Sequence, residues 1–172
     1  AYAHICANET IGGIQWQSFP DTGNVPLFCD MSSEILSRPL PWDKIDMVYA
    51  GAQKNLAPSG MALVIIKDSL AQKARKDLPA YLRYDQHIEN NSLYNTPPSF
   101  IVWMTGLTMK WIKSIGGLAE IERRRRRLSR GRRGRWGDVF RGPTQESDLL
   151  LVAELAAHEQ GDQLAVRAQR RF

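Results

Sequence analysis

The chain has 172 residues, of which 43% are hydrophobic, and its formal net charge is +5. This length suffices for one domain with a buried core. No apolar run approaches the ~20 residues that a membrane-spanning helix needs. The first residues contain no basic and apolar leader. Composition therefore predicts a globular α, β or mixed domain without a membrane anchor.

Cysteine and histidine usage gives no sign of a metal or disulfide framework. Cys6 and Cys29 are the two cysteines, and they lack both metal-type spacing and a secretory signal. We therefore expect reduced thiols in a cytoplasmic protein, with a Cys6–Cys29 disulfide as the alternative. Because His4, His87 and His158 are scattered without ligand spacing, no metal site is predicted.

The charge is distributed unevenly along the chain. Up to Glu122 there are 10 Lys and Arg against 12 Asp and Glu, whereas from Arg123 onward there are 13 Arg, no Lys and 6 Asp and Glu. Such asymmetry is typical of a nucleic-acid-binding arm, or of a segment that does not continue the preceding domain. Because the arginine run has no interleaved aromatic residues and no recognisable nucleic-acid fold, we do not predict nucleic-acid binding.

In chain order, short apolar strands are followed by helices. The patterns predict strands over 2–6, 25–31, 43–50 and 61–67, helices over 68–76, 99–115 and from Leu118, and a loop over 81–92. After Glu122 a helix-like pattern returns only at 147–158. This order predicts an α/β fold, in which helices cover a mostly parallel sheet.

Two ionisable residues stand near the ends of predicted strands. Lys54 lies among small residues between two apolar runs, and a lysine that is kept from water can attack a carbonyl. Asp30 ends an earlier strand, and ligands in such sheets bind outside the carboxyl ends of strands. Together they suit pyridoxal phosphate chemistry. The alternatives are a solvated lysine, and an aspartate that caps the turn at Ser32 and Ser33.

Several segments resemble one enzyme family, in its order and at about its spacing. They are Ala7-Asn8-Glu9-Thr10, the stretch 30–39 that begins Asp30-Met31-Ser32-Ser33, Gly51-Ala52-Gln53-Lys54-Asn55, Tyr94-Asn95-Thr96-Pro97-Pro98, Trp111-Ile112-Lys113 and Gly116-Gly117-Leu118-Ala119-Glu120. Over residues 1–122 the chain is similar to the phosphoserine aminotransferases, which are class V, fold-type I pyridoxal-phosphate enzymes. The resemblance implies a fragment of their large domain.

The resemblance also implies cofactor-binding roles for six residues: Thr10, Asp30, Gln53, Lys54, Asn95 and Thr96. Lys54 would be the catalytic residue, which forms the Schiff base with pyridoxal 5′-phosphate and moves the substrate proton. Asp30 would pair with the ring nitrogen, Thr10 with the ring oxygen and Gln53 with the phosphate. The last two residues would reach the phosphate in the neighbouring subunit of a homodimer.

The implied reaction transfers an amino group between two pairs of compounds in L-serine biosynthesis. One pair is O-phospho-L-serine and 3-phosphohydroxypyruvate, and the other is glutamate and 2-oxoglutarate. A class V aminotransferase with another substrate, and a truncated product without activity, are the alternatives. We expect residues 1–122 to be a partial large domain that is truncated at both ends. Residues 123–172 are expected to be an irregular, disordered or non-native tail, from a reading-frame change or a junction with unrelated sequence.

Overall fold

The computed structural model describes residues 1–131 of the chain. The strands are β1 Ala3–Cys6, β2 Asn8–Glu9, β3 Ile14–Gln15, β4 Leu27–Asp30, β5 Met47–Gly51 and β6 Ala62–Ile66. The helices are α1 Ala52–Asn55, α2 Asp68–Ala71, α3 Tyr84–Glu89, α4 Ser99–Ser114 and α5 Gly117–Gly131, with a 3-10 turn at Ala80–Leu82. None of these helices is long and apolar enough to cross a membrane.

The larger sheet has the strand order β1-β4-β5-β6. Strands β1, β4 and β5 are parallel, whereas β6 runs antiparallel to β5. The predicted fold class, α/β with a largely parallel sheet, is confirmed. The antiparallel pair has a simple cause. A parallel neighbour needs a crossover of a dozen or more residues, and only residues 52–61 separate β5 from β6.

The hydrophobic core is centred on the two inner strands, β4 and β5. Strand β4 alternates buried and half-buried residues, and four side chains of the two strands are fully buried: Leu27, Cys29, Val48 and Ala50. Ile101 and Met109 of α4 pack against this cluster. The inner strands are therefore held by apolar packing, and their carboxyl ends are fixed relative to one another.

Helix α4 confirms the predicted helix over 99–115. Its buried face includes two hydroxyl groups that are satisfied locally. Thr105 Oγ1 donates to Ile101 O at 2.9 Å and Thr108 Oγ1 to Met104 O at 3.2 Å, one turn earlier in each case. Burial of the two threonines therefore costs little stability, and the middle turns of α4 can pack against the core.

Helix α5 continues through the arginine run to Gly131, so the expected change to irregular chain does not occur at Arg123. Arginine is a good helix former. Three arginines also pair with acidic residues one turn earlier: Arg123 and Arg124 with Glu120 at 2.5 and 2.8 Å, and Arg126 with Glu122 at 2.6 Å. The helix expected over 147–158 lies outside the described residues.

The segment between β6 and α4 departs most from prediction. Helix α2 spans only Asp68–Ala71 instead of 68–76, and the expected loop over 81–92 contains the helix α3, Tyr84–Glu89. Local polar contacts, rather than apolar periodicity, hold this region together. Hydrogen bonds from Arg83 and Lys76 lower the pKa of Asp85, the second residue of α3. Such contacts leave no periodic signal in a sequence.

Candidate active site

The carboxyl ends of β1, β4 and β5 lie at one edge of the sheet. The strand register places Cys6, Asp30 and Tyr49 side by side at this edge. Asp30 is the last residue of β4, and Lys54 lies on α1, directly after β5. The structure thus brings both predicted residues to the edge where ligands bind in such sheets.

Helix α1, which carries Lys54, belongs to the connection between β5 and β6, and this connection is anchored by contacts with the core. The N–H of Ala52 donates to Met61 O at 2.9 Å and closes the connection between β5 and β6. Ala52 and Leu56 are buried in the core, and Asn55 Nδ2 donates to Ile35 O at 2.6 Å. Lys54 itself is exposed. The expected shielding of this lysine from water is therefore absent from the described residues, although its backbone is fixed.

The amine of Lys54 belongs to a directed chain of hydrogen bonds. Lys54 Nζ donates to Thr10 Oγ1 at 2.8 Å, Thr10 Oγ1 donates to Ser33 Oγ at 3.2 Å, and Ser33 Oγ donates to Asn8 O at 2.9 Å. A threonine hydroxyl has one proton to give. Because Thr10 gives it to Ser33, its lone pairs remain available to the lysine. Two residues that the resemblance singled out, Thr10 and Lys54, are thus in direct contact.

Asp30 is held by the residue two positions later. Its Oδ1 accepts from the N–H of Ser32 at 2.9 Å and from Ser32 Oγ at 2.8 Å. Ser32 Oγ in turn accepts from the N–H of Gly51 at 3.0 Å, just before α1. The turn-capping contact that was the alternative for Asp30 is therefore present. This contact does not move Asp30 away from the end of β4, which is also the position that the alternative, cofactor-binding interpretation needs.

Tyr49 extends the polar cluster onto the next strand. Its hydroxyl lies 2.9 Å from His4 Nε2, and the two rings are stacked with centroids 5.9 Å apart. Burial, and next the negative charge of Asp30, raise the pKa of Tyr49. The tyrosine is thus a protonated neighbour of the carboxylate.

Sequence reasoning missed part of this cluster. It treated His4 as an unconnected histidine, although strand pairing brings it to Tyr49. The sequence assigns Ser32 and Ser33 to a turn and to a family segment, without a hydrogen-bonding role at the site. The Asp-x-Ser spacing at 30–32 is the available signal, since an aspartate often hydrogen-bonds the backbone two residues on.

The remaining predicted residues lie apart from this network. Gln53 is exposed on α1, and its amide folds back over Gly51, where an added Cβ would come within 2.9 Å of it. Asn95 and Thr96 are exposed in the loop before α4, and Asn95 Nδ2 donates to Thr96 O at 3.4 Å. Within residues 1–131, no hydrogen bond joins these three residues to Lys54. In the same range, no group of three His, Cys, Asp or Glu side chains could hold a metal ion.

Comparison with known proteins identifies the family. The family model for aminotransferase class V matches residues 1–135, which extends past Glu122 and includes the arginine run. The phosphoserine aminotransferase of Lysinibacillus sphaericus (strain C3-41) is 54% identical over 124 residues, 72% of this chain and 34% of that protein. The enzyme of the same name from Niallia circulans is 46% identical over 165 residues, 92% of this chain and 46% of that protein.

Solved structures give the same result. The phosphoserine aminotransferase from Bacillus circulans subsp. alkalophilus superposes with a TM-score of 0.70 at 53% identity, over 73% of this chain and 35% of that one. The pyridoxal-phosphate-bound enzyme from Trichomonas vaginalis has a TM-score of 0.66 at 41% identity, over 70% and 36%. The chain spans about a third to a half of these relatives. It belongs to the aminotransferase class-V family.

Proposed function

We propose that this chain supplies the lysine-bearing part of a pyridoxal-phosphate-dependent phosphoserine aminotransferase. The reaction transfers an amino group between O-phospho-L-serine and 2-oxoglutarate in L-serine biosynthesis. The names of the relatives that are 46–54% identical support this proposal. The observation that carries it is the 2.8 Å hydrogen bond from Lys54 Nζ to Thr10 Oγ1, at the sheet edge where Asp30 ends β4.

The residues present fit pyridoxal phosphate. This cofactor calls for an amine that holds its aldehyde and for a carboxylate at its ring nitrogen. Lys54 and Asp30 supply these groups, and the Thr10 hydroxyl is a partner for the ring oxygen. Hydrogen bonds join Lys54 to Thr10 and Thr10 to Ser33, whereas Asp30 bonds to Ser32, the neighbour of Ser33 in the chain. The described residues therefore include the amine and the carboxylate that this cofactor needs.

When bound, pyridoxal phosphate supplies an electron-accepting ring that stabilises charge at the substrate α-carbon. Lys54 would hold the cofactor through its amine and would move the proton at that carbon. Thr10 fixes the position of the amine, because its hydroxyl accepts from Nζ while its own proton is given to Ser33. Asp30 would keep a proton on the ring nitrogen, and Ser32 fixes its carboxylate.

The other predicted residues serve the phosphate group. Gln53 binds the phosphate in its own subunit, whereas Asn95 and Thr96 bind the phosphate in the neighbouring subunit of a homodimer. This division follows from the family resemblance, and the exposure of all three side chains leaves them free to bind a phosphate. A cytoplasmic location is supported by two free thiols, which persist in reducing compartments.

Titration of the 172-residue chain with pyridoxal phosphate tests the proposal. A visible absorbance band is expected for the wild type and not for Lys54→Ala. Lys44→Ala, which removes another exposed lysine before β5, should leave the band unchanged. A band of full strength in Lys54→Ala would contradict the assignment of Lys54.

A second measurement separates the alternatives for the reaction. The loaded chain is given 2-oxoglutarate together with O-phospho-L-serine or with L-alanine, and glutamate is measured. Faster glutamate formation from phosphoserine is expected. A preference for alanine would indicate a class V aminotransferase with another substrate. A band without glutamate from either donor would indicate an inert chain that retains the cofactor site.

A further inference from the structure

Ser32 joins the carboxylate of Asp30 to the turn that carries Lys54. Its hydroxyl donates to Asp30 Oδ1 at 2.8 Å and accepts from the N–H of Gly51 at 3.0 Å. Gly51 is the last residue of β5 and directly precedes α1. Ser32 is itself buried, with 9% of its surface exposed. One small side chain thus connects the ends of two parallel strands.

This arrangement goes beyond the capping of a turn. The backbone N–H of Ser32 already donates to Asp30 Oδ1 at 2.9 Å, which is sufficient for the turn. The hydroxyl adds a second bond to the same oxygen. A serine hydroxyl has one proton and two lone pairs, so the bond from Gly51 occupies a lone pair and directs the proton at the carboxylate. The orientation of Asp30 is thereby tied to the position of β5.

We propose that Ser32 is a positioning residue of the cofactor site, which acts through Asp30. It holds the carboxylate in one orientation relative to Gly51, the residue that directly precedes the helix carrying Lys54. This inference rests on the proposed function, because only bound pyridoxal phosphate gives Asp30 a ring nitrogen to hold. Burial of the hydroxyl keeps water from competing for these bonds.

A double-mutant cycle tests the coupling through Asp30. The affinity for pyridoxal phosphate is measured by absorbance titration of the wild type, Ser32→Ala, Asp30→Ala and the double variant. Loss of the hydroxyl leaves the N–H of Ser32 on the carboxylate, so binding should weaken only about threefold to tenfold in the wild-type background. The same change should cost less than about twofold when Asp30 is already alanine. Equal losses in the two backgrounds would mean that Ser32 has only a packing role, and would overturn the proposal.

Two further variants of Ser32 and one control sharpen the result. Ser32→Thr keeps the hydroxyl and should restore most of the affinity, and Ser32→Cys, a weaker donor, should give an intermediate loss. Ser37→Ala removes a hydroxyl that is also buried but has no hydrogen-bond partner within the described residues, so its affinity should equal that of the wild type. If Ser37→Ala lowered the affinity for pyridoxal phosphate as much as Ser32→Ala does, the proposal would be overturned.

Amide exchange in the unloaded chain gives a readout that does not depend on the cofactor. Gly51 N–H should exchange faster in Ser32→Ala, which removes its acceptor, and at the wild-type rate in Ser37→Ala. If the wild type takes up no cofactor, the proposed function fails for this chain, whereas the exchange rate still reports on Ser32. An unchanged Gly51 rate in Ser32→Ala would overturn the link between the strands.

Discussion

The ammonium group of Lys54 and the hydroxyl of Thr10 are 2.8 Å apart, although 44 positions separate the two residues in the sequence. Thr10→Val keeps the shape of the side chain and removes the acceptor. We expect this change to weaken pyridoxal phosphate binding about threefold to tenfold, as for the loss of one ordinary hydrogen bond. Absorbance titration checks it. Thr22→Val, in a turn remote from this network, is the control, and equal affinities for all three chains would refute the role of Thr10.

The carboxylate of Asp46 gives the fold a dependence on acid pH. Asp46 Oδ2 accepts from Leu27 N at 2.8 Å and Oδ1 from Lys67 Nζ at 2.9 Å, so it joins residues at β4 and β6. Burial opposes ionisation, but these hydrogen bonds and the charge of Lys67 outweigh it and lower the pKa of Asp46. The folded pKa therefore lies below that of the unfolded chain, about 3.9.

Such a group contributes stability above the unfolded pKa and loses it as the pH falls through the folded pKa. We expect Asp46→Asn to lower the free energy of unfolding by about 1–2 kcal/mol at pH 7. The difference from the wild type should be constant above about pH 5 and shrink below about pH 4. Urea unfolding at a series of pH values measures it. Asp43→Asn, an exposed change nearby, should show no such trend, and a pH-independent Asp46→Asn difference would contradict the assignment.

Gly60 couples the lysine loop to helix α4. Its φ of 118° is unfavourable for any side chain, and an added Cβ would lie 2.5 Å from Ile101 Cδ1. Gly60→Ala should therefore lower the free energy of unfolding by about 2–3 kcal/mol. Gly13 also has a positive φ, of 65°, but nothing within 4 Å of its added Cβ. Gly13→Ala should cost only about 1 kcal/mol. Equal losses of unfolding free energy for the two variants, measured by urea unfolding, would show that the Ile101 side chain moves aside without cost.

The two thiols should differ sharply in reactivity. Burial, and next the negative charge of Asp46, raise the pKa of Cys29 to about 12, whereas Cys6 is exposed. A thiol reagent at pH 8 should label one cysteine per folded chain and two after unfolding, because only the thiolate reacts. Cys6→Ser should abolish the fast reaction. No labelling in either state would indicate a disulfide instead.

Strand and helix positions could be predicted where packing gives a strong pattern. The strand at β4 and the helix α4 are examples, because both bury apolar residues at regular intervals. The direction of β6 could not be predicted from apolar content alone, since parallel and antiparallel buried strands have similar sequences. Helix α3 was missed because it depends on ion pairs such as Arg83–Asp85, which have no apolar period.

The candidate site could be predicted as a set of residues but not as a network. Lys54 and Asp30 were found from strand ends and from family motifs. The bonds through Ser32 and Ser33 depend on side-chain orientation in one turn, which a sequence does not specify. The exposure of Lys54 was also beyond prediction, because it depends on which surfaces cover the loop.

The five consecutive arginines of α5 are not equivalent. Arg124 and Arg126 have partners on their own helix, so either could exchange with lysine at little cost. Arg125 instead donates to Ser37 O and Gln15 Oε1, 88 and 110 positions earlier, and uses two nitrogens of one guanidinium to do so. A lysine at this position would keep the charge but would lose the planar group that donates from two nitrogens to two oxygens. A lysine should therefore be tolerated less well at position 125 than at position 124 or 126.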